Sequence, residues 1–151
     1  MTLRPLTVQQ RAAVDALESA NVIEAVPADE VRAAAFLRKA RIKYADIVNT
    51  QHPENRFDLG YGACHDVGES LLSAYGYRTR SGAGQHVAIG RFLAAVIDQP
   101  PGSTASRRYD RLRRIRNNQD YRANPVTESD AESAAKSALV LIDAAVERGI
   151  T

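Results

Sequence analysis

Apolar side chains recur every three or four residues through most of this chain, and glycine, proline and asparagine positions cut the recurrence into helical segments. Thr7 stands three positions before Gln10, a capping-box spacing, and Val14 and Leu17 follow toward Asn21, which predicts a short first helix. Pro27 at a first-turn position, with Asp29 and Glu30 behind it at the positive end of the helix dipole, predicts a second. Val31, Phe36, Leu37, Ala40, Tyr44, Ile47 and Val48 keep its period until His52 and Pro53, a length of about five or six turns. A third segment runs from about Arg56 to Tyr75, with Phe57, Tyr61, Cys64, Gly68, Leu71 or Leu72, and Tyr75 on one stripe. Gly60, Gly62 and Gly68 lower its helix propensity, by roughly 1 kcal/mol each if exposed. Their presence predicts close approach of another helix.

Gly76, Gly82 and Gly84 mark a turn, RTRSGAGQH, before a fourth helix over Gln85 to Ile97 that carries Val87, Ile89, Phe92, Leu93 and Val96 and stops at Pro100 and Pro101. PPGSTAS reads as a linker into a basic helix closed by Asn124 and Pro125. Thr127, with Glu128 and Asp130 in the first turn, starts a last helix whose stripe is Ala131, Ala134, Ala138, Leu141, Ile142 and Ala145, ending near Gly149. No strand-like alternation of useful length and no internal repeat is found. The expected fold is all-α, an up-and-down helical bundle of five or six helices forming one domain over 1–151. The small stripe of the last helix suits close packing, and its five acids against two bases suit the basic helix as a neighbour.

Composition narrows the class. An apolar fraction of 44% with 25% charged residues belongs to a globular chain. The single cysteine, Cys64, excludes an intramolecular disulfide and a zinc cluster; on the apolar stripe it reads as a buried, inert thiol, and a reducing cytoplasm fits. The sequence MTLRPLTVQQR has no apolar core, and no run approaches 18 apolar residues, so neither a signal peptide nor a membrane span is expected.

Charge is concentrated in one place. The stretch from Arg107 to Arg122 holds seven of twenty basic residues against two acids, about +5, whereas the whole chain is +2. On a helix, Tyr109, Leu112 and Ile115 face a core, while Arg113, Asn117 and Tyr121 fall at i, i+4 and i+8 on an adjacent face. Motifs for phosphate loops, dinucleotides, zinc proteases and calcium loops are absent, and Arg78 and Arg80 before SGAG read as part of a connector. His52, His65 and His86 lack metal-ligand spacing, so neither a metal nor a cofactor is expected. His65 is placed at the edge of the buried face, and His86 is expected to bond a loop carbonyl at the start of the fourth helix.

The RxxRxRNxxxY helix, the long second helix, the third helix rich in Tyr, Ala and Gly, the GYRTRSGAGQH turn and the acidic closing helix together resemble the HEPN family of small all-α domains, over about Ala33 to Val146. Many members are metal-independent endoribonucleases with an R-x4-6-H motif, often acting in toxin–antitoxin or defence modules as homodimers. The resemblance puts the motif arginine on Arg116, the polar residue after it on Asn117 and the histidine position on Tyr121, which is a departure from the motif. It implies RNA binding by Arg107, Arg108, Arg111, Arg113 and Arg114 and an auxiliary place for His86. The implied partners are RNA, a second copy, and a cognate antitoxin or a nucleotidyltransferase. A tyrosine near pKa 10 is a poor base at neutral pH. A non-catalytic interaction module built on the same bundle is therefore the alternative expectation.

Overall fold

Local capping chemistry sets three of the helix starts in the computed structural model, which describes residues 2–80 and 82–151. Thr7 caps α1 (Val8–Ser19): its hydroxyl accepts from the Gln10 amide at 3.1 Å, and the Gln10 side chain accepts from the Thr7 amide at 3.0 Å. The same reciprocal pair, Thr127 and Asp130, opens α6 (Glu128–Glu147). Between them lie α2 (Glu30–Asp46), α3 (Pro53–Tyr75), α4 (Gln85–Val96) and α5 (Gly102–Arg122). Among the described residues the fold is an all-α bundle of six helices with one small sheet.

α3 is the axis of the bundle. Thirteen of its residues are buried, which leaves it little solvent-facing surface, and it packs against α2, α6 and α4. Gly60 is why α6 can lie so close: a Cβ there would sit 2.9 Å from the Ala134 Cβ and 2.8 Å from its backbone carbon. The glycine in α3 and the alanine stripe of α6 thus fit as the periodicity predicts. Phe57, Leu71, Leu72, Phe92, Leu112 and Leu141 fill the core around this axis. Cys64 is buried within it, and burial pushes its thiol up to about 12, so it stays protonated and inert.

Four boundaries differ from the pattern. Ile23–Ala25 (β1) and Tyr77–Thr79 (β2) form a two-stranded antiparallel ladder, Ile23 opposite Thr79, each strand too short for alternation to register. Pro27 lies outside α2, because the Val26 amide donates to the Gly76 carbonyl and the Asp29 amide to the Ser73 carbonyl, both at 2.9 Å. Asp29 is therefore the cap of α2, accepting from the Arg32 amide at 2.8 Å, and the helix is 17 residues long with one 3-10 turn, Ile47–Asn49, after it. α3 begins at Pro53, three residues earlier than Arg56. Most of the supposed linker is helical: α5 starts at Gly102, buried where a Cβ would lie 2.4 Å from the Ile97 side chain, and the Ser106 hydroxyl donates to the Ile97 carbonyl at 3.0 Å.

The acidity of α6 is not matched to α5 by ion pairs among the described residues. Asp110 pairs with Arg113 and Arg114, and Asp120 with Arg116, all within α5, while Glu128 of α6 pairs with Arg56 of α3. No helix among the described residues is long and apolar enough to cross a membrane.

Candidate functional site

Two adjoining hollows, of about 340 and 270 Å³, open where α3, the start of α4 and the second half of α5 meet, and both are lined by His86 and Arg116. α3 contributes Asp58, Tyr61 and His65 at i, i+3 and i+7, one face of the helix, and Lys43 reaches in from α2. Lys43 lies across Gly62, where a Cβ would be 3.4 Å from its side chain, and ends in a 2.6 Å ion pair with the buried Asp66. Arg113, Asn117 and Tyr121 line the second hollow with the 82–85 turn, so the i, i+4, i+8 row of α5 does share one cleft wall.

His86 is held by a side chain, not by the loop carbonyl expected for it. Its Nδ1 is 2.7 Å from the Tyr61 hydroxyl, which is itself 3.0 Å from the Tyr109 hydroxyl. The rings stack in series: Tyr61 on Tyr109 with centroids 5.2 Å apart, and Tyr61 on His86 at 5.8 Å. Gly90 makes room for this stack, since a Cβ there would meet the Tyr109 ring at 2.8 Å. Gly84, with φ +94°, is the residue that turns the chain into α4 and so aims His86 inward. The His65 ring lies 4.6 Å from that of His86, and the Arg116 guanidinium sits 5.7 Å from the centre of the Tyr61 ring.

This setting shifts proton affinities in one direction for both imidazoles. Burial, then the neighbouring His86, Lys43 and Arg116, lowers His65 to about 4. Burial, then Arg116 and Arg113, lowers His86 from its ordinary value. Both rings are neutral at pH 7. Burial and the nearby Asp120 carboxylate raise Asp58 against the pull of Arg116. Tyr61 is pushed up to about 12 and Tyr109 is raised further still, chiefly by burial, so neither is a phenolate at working pH.

The α5 arginines are divided. Arg116, paired with Asp120 at 3.6 Å, and Arg113, paired with Asp110 at 3.0 Å, face the cleft. Arg108 and Arg111 line a different groove, of about 560 Å³, between α5 and α6, with Lys136, Glu132, Tyr44 and Leu139. Arg107 and Arg114 are exposed and line neither. Tyr121 is 85% exposed at the cleft's rim. Tyr61 and Tyr109 were read only as core positions, and Asp58 and Lys43 escaped the pattern reading, because α3 also carries Glu54, Arg56, Asp66 and Glu69 and its spacing alone does not single out Asp58, Tyr61 and His65. Among the described residues no group of three His, Cys, Asp or Glu side chains forms a metal site.

Comparison with family models, with curated proteins and with solved structures gives no match for this chain.

Proposed function

We propose that this chain is a HEPN-like RNA-binding protein that cleaves RNA without a metal ion, using the cleft between α3, α4 and α5. The observation that carries this reading is the meeting of Arg116 with two neutral imidazoles, His86 and His65, around one opening. Tyr121 occupies the motif's histidine position, and His86, supplied from another helix, stands beside Arg116 in its stead. In this reading Arg116 binds a phosphoryl oxygen and stabilises the charge that develops there. An imidazole nitrogen takes the proton of a ribose 2′-OH. The 2′ oxygen bonds to the adjacent phosphorus, the bond from phosphorus to the 5′ oxygen breaks, and that oxygen departs with the proton that the imidazole took from the 2′-OH. The products are a 2′,3′-cyclic phosphate and a 5′-hydroxyl. Asn117 and the exposed Tyr121 ring bind the strand beside the scissile bond, by hydrogen bonding and stacking respectively.

Incubation of the purified protein with end-labelled RNA in EDTA tests this. Wild type is expected to give cyclic-phosphate ends that Arg116→Ala and His65→Gln abolish. Intact RNA from folded wild type, or cleavage that survives both substitutions, overturns it.

The second groove favours the non-catalytic alternative as a separate reading. Arg108, Arg111 and Lys136 meet there with no ion-pair partner among the described residues, opposite one carboxylate, Glu132, and beside the part-exposed Leu139. Such a groove suits an acidic protein segment with an apolar anchor. A partner retained by Arg116→Ala and lost by the combined Arg108→Gln, Arg111→Gln and Lys136→Gln variant supports the interaction module.

A further inference from the structure

Tyr109 is almost completely buried, and among the described residues its hydroxyl has a single hydrogen-bond partner, the Tyr61 hydroxyl at 3.0 Å. That constraint propagates. A hydroxyl carries one hydrogen, and a buried donor left unpaired is costly. If Tyr61 spent its hydrogen on Tyr109, the Tyr109 hydrogen would point at nothing. With Tyr109 donating to Tyr61 instead, the sense in which that bond lowers the Tyr61 phenol and raises that of Tyr109, the Tyr61 hydrogen is free to turn outward, and the group 2.7 Å away on that side is Nδ1 of His86. Nδ1 must then be the bare, accepting nitrogen. A neutral imidazole has one N–H, so the hydrogen is on Nε2.

We infer that Tyr61 is a positioning residue that holds His86 as its Nε2–H tautomer, with Tyr109 only turning the Tyr61 hydrogen toward Nδ1, so that this imidazole offers the cleft a hydrogen-bond donor and not a base. The inference rests on the reading of the cleft as a phosphodiester site.

Nδ1 lies on the side of the ring turned to Tyr61 in the core, and His86 lines both hollows, so Nε2 is the nitrogen available to a ligand there. The stack Tyr109, Tyr61, His86 keeps the ring from flipping, because Tyr109 is wedged beneath Gly90 and the Tyr61 and His86 planes are within 8° of parallel. Protonating His86 would place a second hydrogen on Nδ1, against the Tyr61 hydrogen. Tyr61 would have to turn that hydrogen back to Tyr109 and orphan the Tyr109 hydrogen in the core. The hydroxyl chain therefore opposes the imidazolium in the same sense as burial and the Arg116 and Arg113 charges do.

The same chain stops His86 from giving its proton away outright. Loss of the Nε2 hydrogen balances only if Tyr61 passes its hydrogen to Nδ1, Tyr109 passes its own to Tyr61, and a phenolate is left in the core. His86 thus stabilises charge on a phosphoryl oxygen through an N–H that stays on the ring, a neutral partner to the Arg116 cation. The proton from the 2′-OH goes to the other imidazole of the cleft, His65, whose ring is 4.6 Å away.

Two-bond ¹⁵N–¹H correlation of the ring nitrogens of His86 at pH 8 reads the tautomer directly, with no RNA present. Wild type is expected to show a protonated Nε2 and a bare Nδ1. Tyr61→Phe is expected to give a mixture of tautomers and to move the His86 midpoint toward the ordinary value, whereas Tyr109→Phe, which leaves Tyr61 no other acceptor, keeps the Nε2–H form. A wild-type Nδ1–H tautomer overturns the inference, as does a Tyr61→Phe spectrum identical to wild type in a protein whose circular dichroism is unchanged. If Tyr61→Phe does not fold, the wild-type tautomer and Tyr109→Phe decide it. Failure of RNA cleavage with the expected tautomer overturns the nuclease reading alone; cleavage with the opposite tautomer overturns this inference and leaves the nuclease reading standing.

Discussion

Lys43 reaches from α2 across Gly62 to Asp66 on α3, and the 2.6 Å ion pair between them closes one side of the cleft. The two ends differ in exposure: 35% for the lysine side chain and 4% for the aspartate. Removing the lysine leaves a carboxylate stranded in the core, whereas removing both charges leaves nothing unpaired. Lys43→Met is expected to lower stability by about 2 kcal/mol, less than a fully buried pair because water reaches the lysine. Adding Asp66→Leu should recover most of that loss. Urea unfolding of the two variants checks it.

Gly60→Ala puts a methyl group into the backbone of α6 at Ala134, where no flexible side chain can yield. A loss of about 1–3 kcal/mol is expected, the cost of overpacking a core. Gly62→Ala, 3.4 Å from a mobile lysine chain, should cost much less. Thermal melts of the pair separate the two situations.

Acid should weaken the fold through His65. Its folded value, about 4, is below the 6.5 of the unfolded chain, so above pH 6.5 neither state is charged and the group has no effect. Between pH 6.5 and 4 the unfolded state takes the proton first, and stability falls with decreasing pH, by at most about 1.4 kcal/mol per pH unit. Denaturant midpoints from pH 7 to 4.5 should show this slope, reduced in His65→Gln.

Partition of the α5 arginines predicts a split in variant behaviour. Arg113→Gln should slow RNA cleavage and let the His86 midpoint rise, because its charge is one that holds the ring neutral. Arg108→Gln with Arg111→Gln should leave the rate constant unchanged, weakening RNA association only through the loss of general positive charge. Single-turnover rates at saturating protein distinguish the two.

Tyr121→His would install the residue of the motif at a position 85% exposed. No gain in cleavage rate is expected, because the imidazoles that face Arg116 are His65 and His86. A large rate increase would show that Tyr121 enters the reacting centre.

Helices were legible in the chain where a local chemical signal fixed them: the Thr7 with Gln10 and Thr127 with Asp130 capping pairs, and the glycine and proline stops. The start of α5 was not, because Pro100, Pro101 and Gly102 look like a linker until Gly102 is seen beneath Ile97. β1 and β2 were hidden for a related reason, since three residues cannot display alternation and their pairing spans 52 or more positions of sequence. Of the site, the α5 row could be read from a helical period. The Tyr109, Tyr61 and His86 chain could not, because it depends on how the 82–84 turn aims α4 at α3, and no spacing within one helix encodes that.

The ends of the described chain meet: the Arg4 amide donates to the Arg148 carbonyl at 2.7 Å, the Tyr75 hydroxyl to the Arg4 carbonyl at 2.7 Å, and Gly149 leaves no room for a Cβ beside Thr2. In backbone terms residues 2–151 trace a ring lacking one short covalent link. A circular permutant joined there by a few residues and reopened in the 123–126 connection between α5 and α6 would alter the order in which the helices are synthesised while keeping every cleft-lining residue in place.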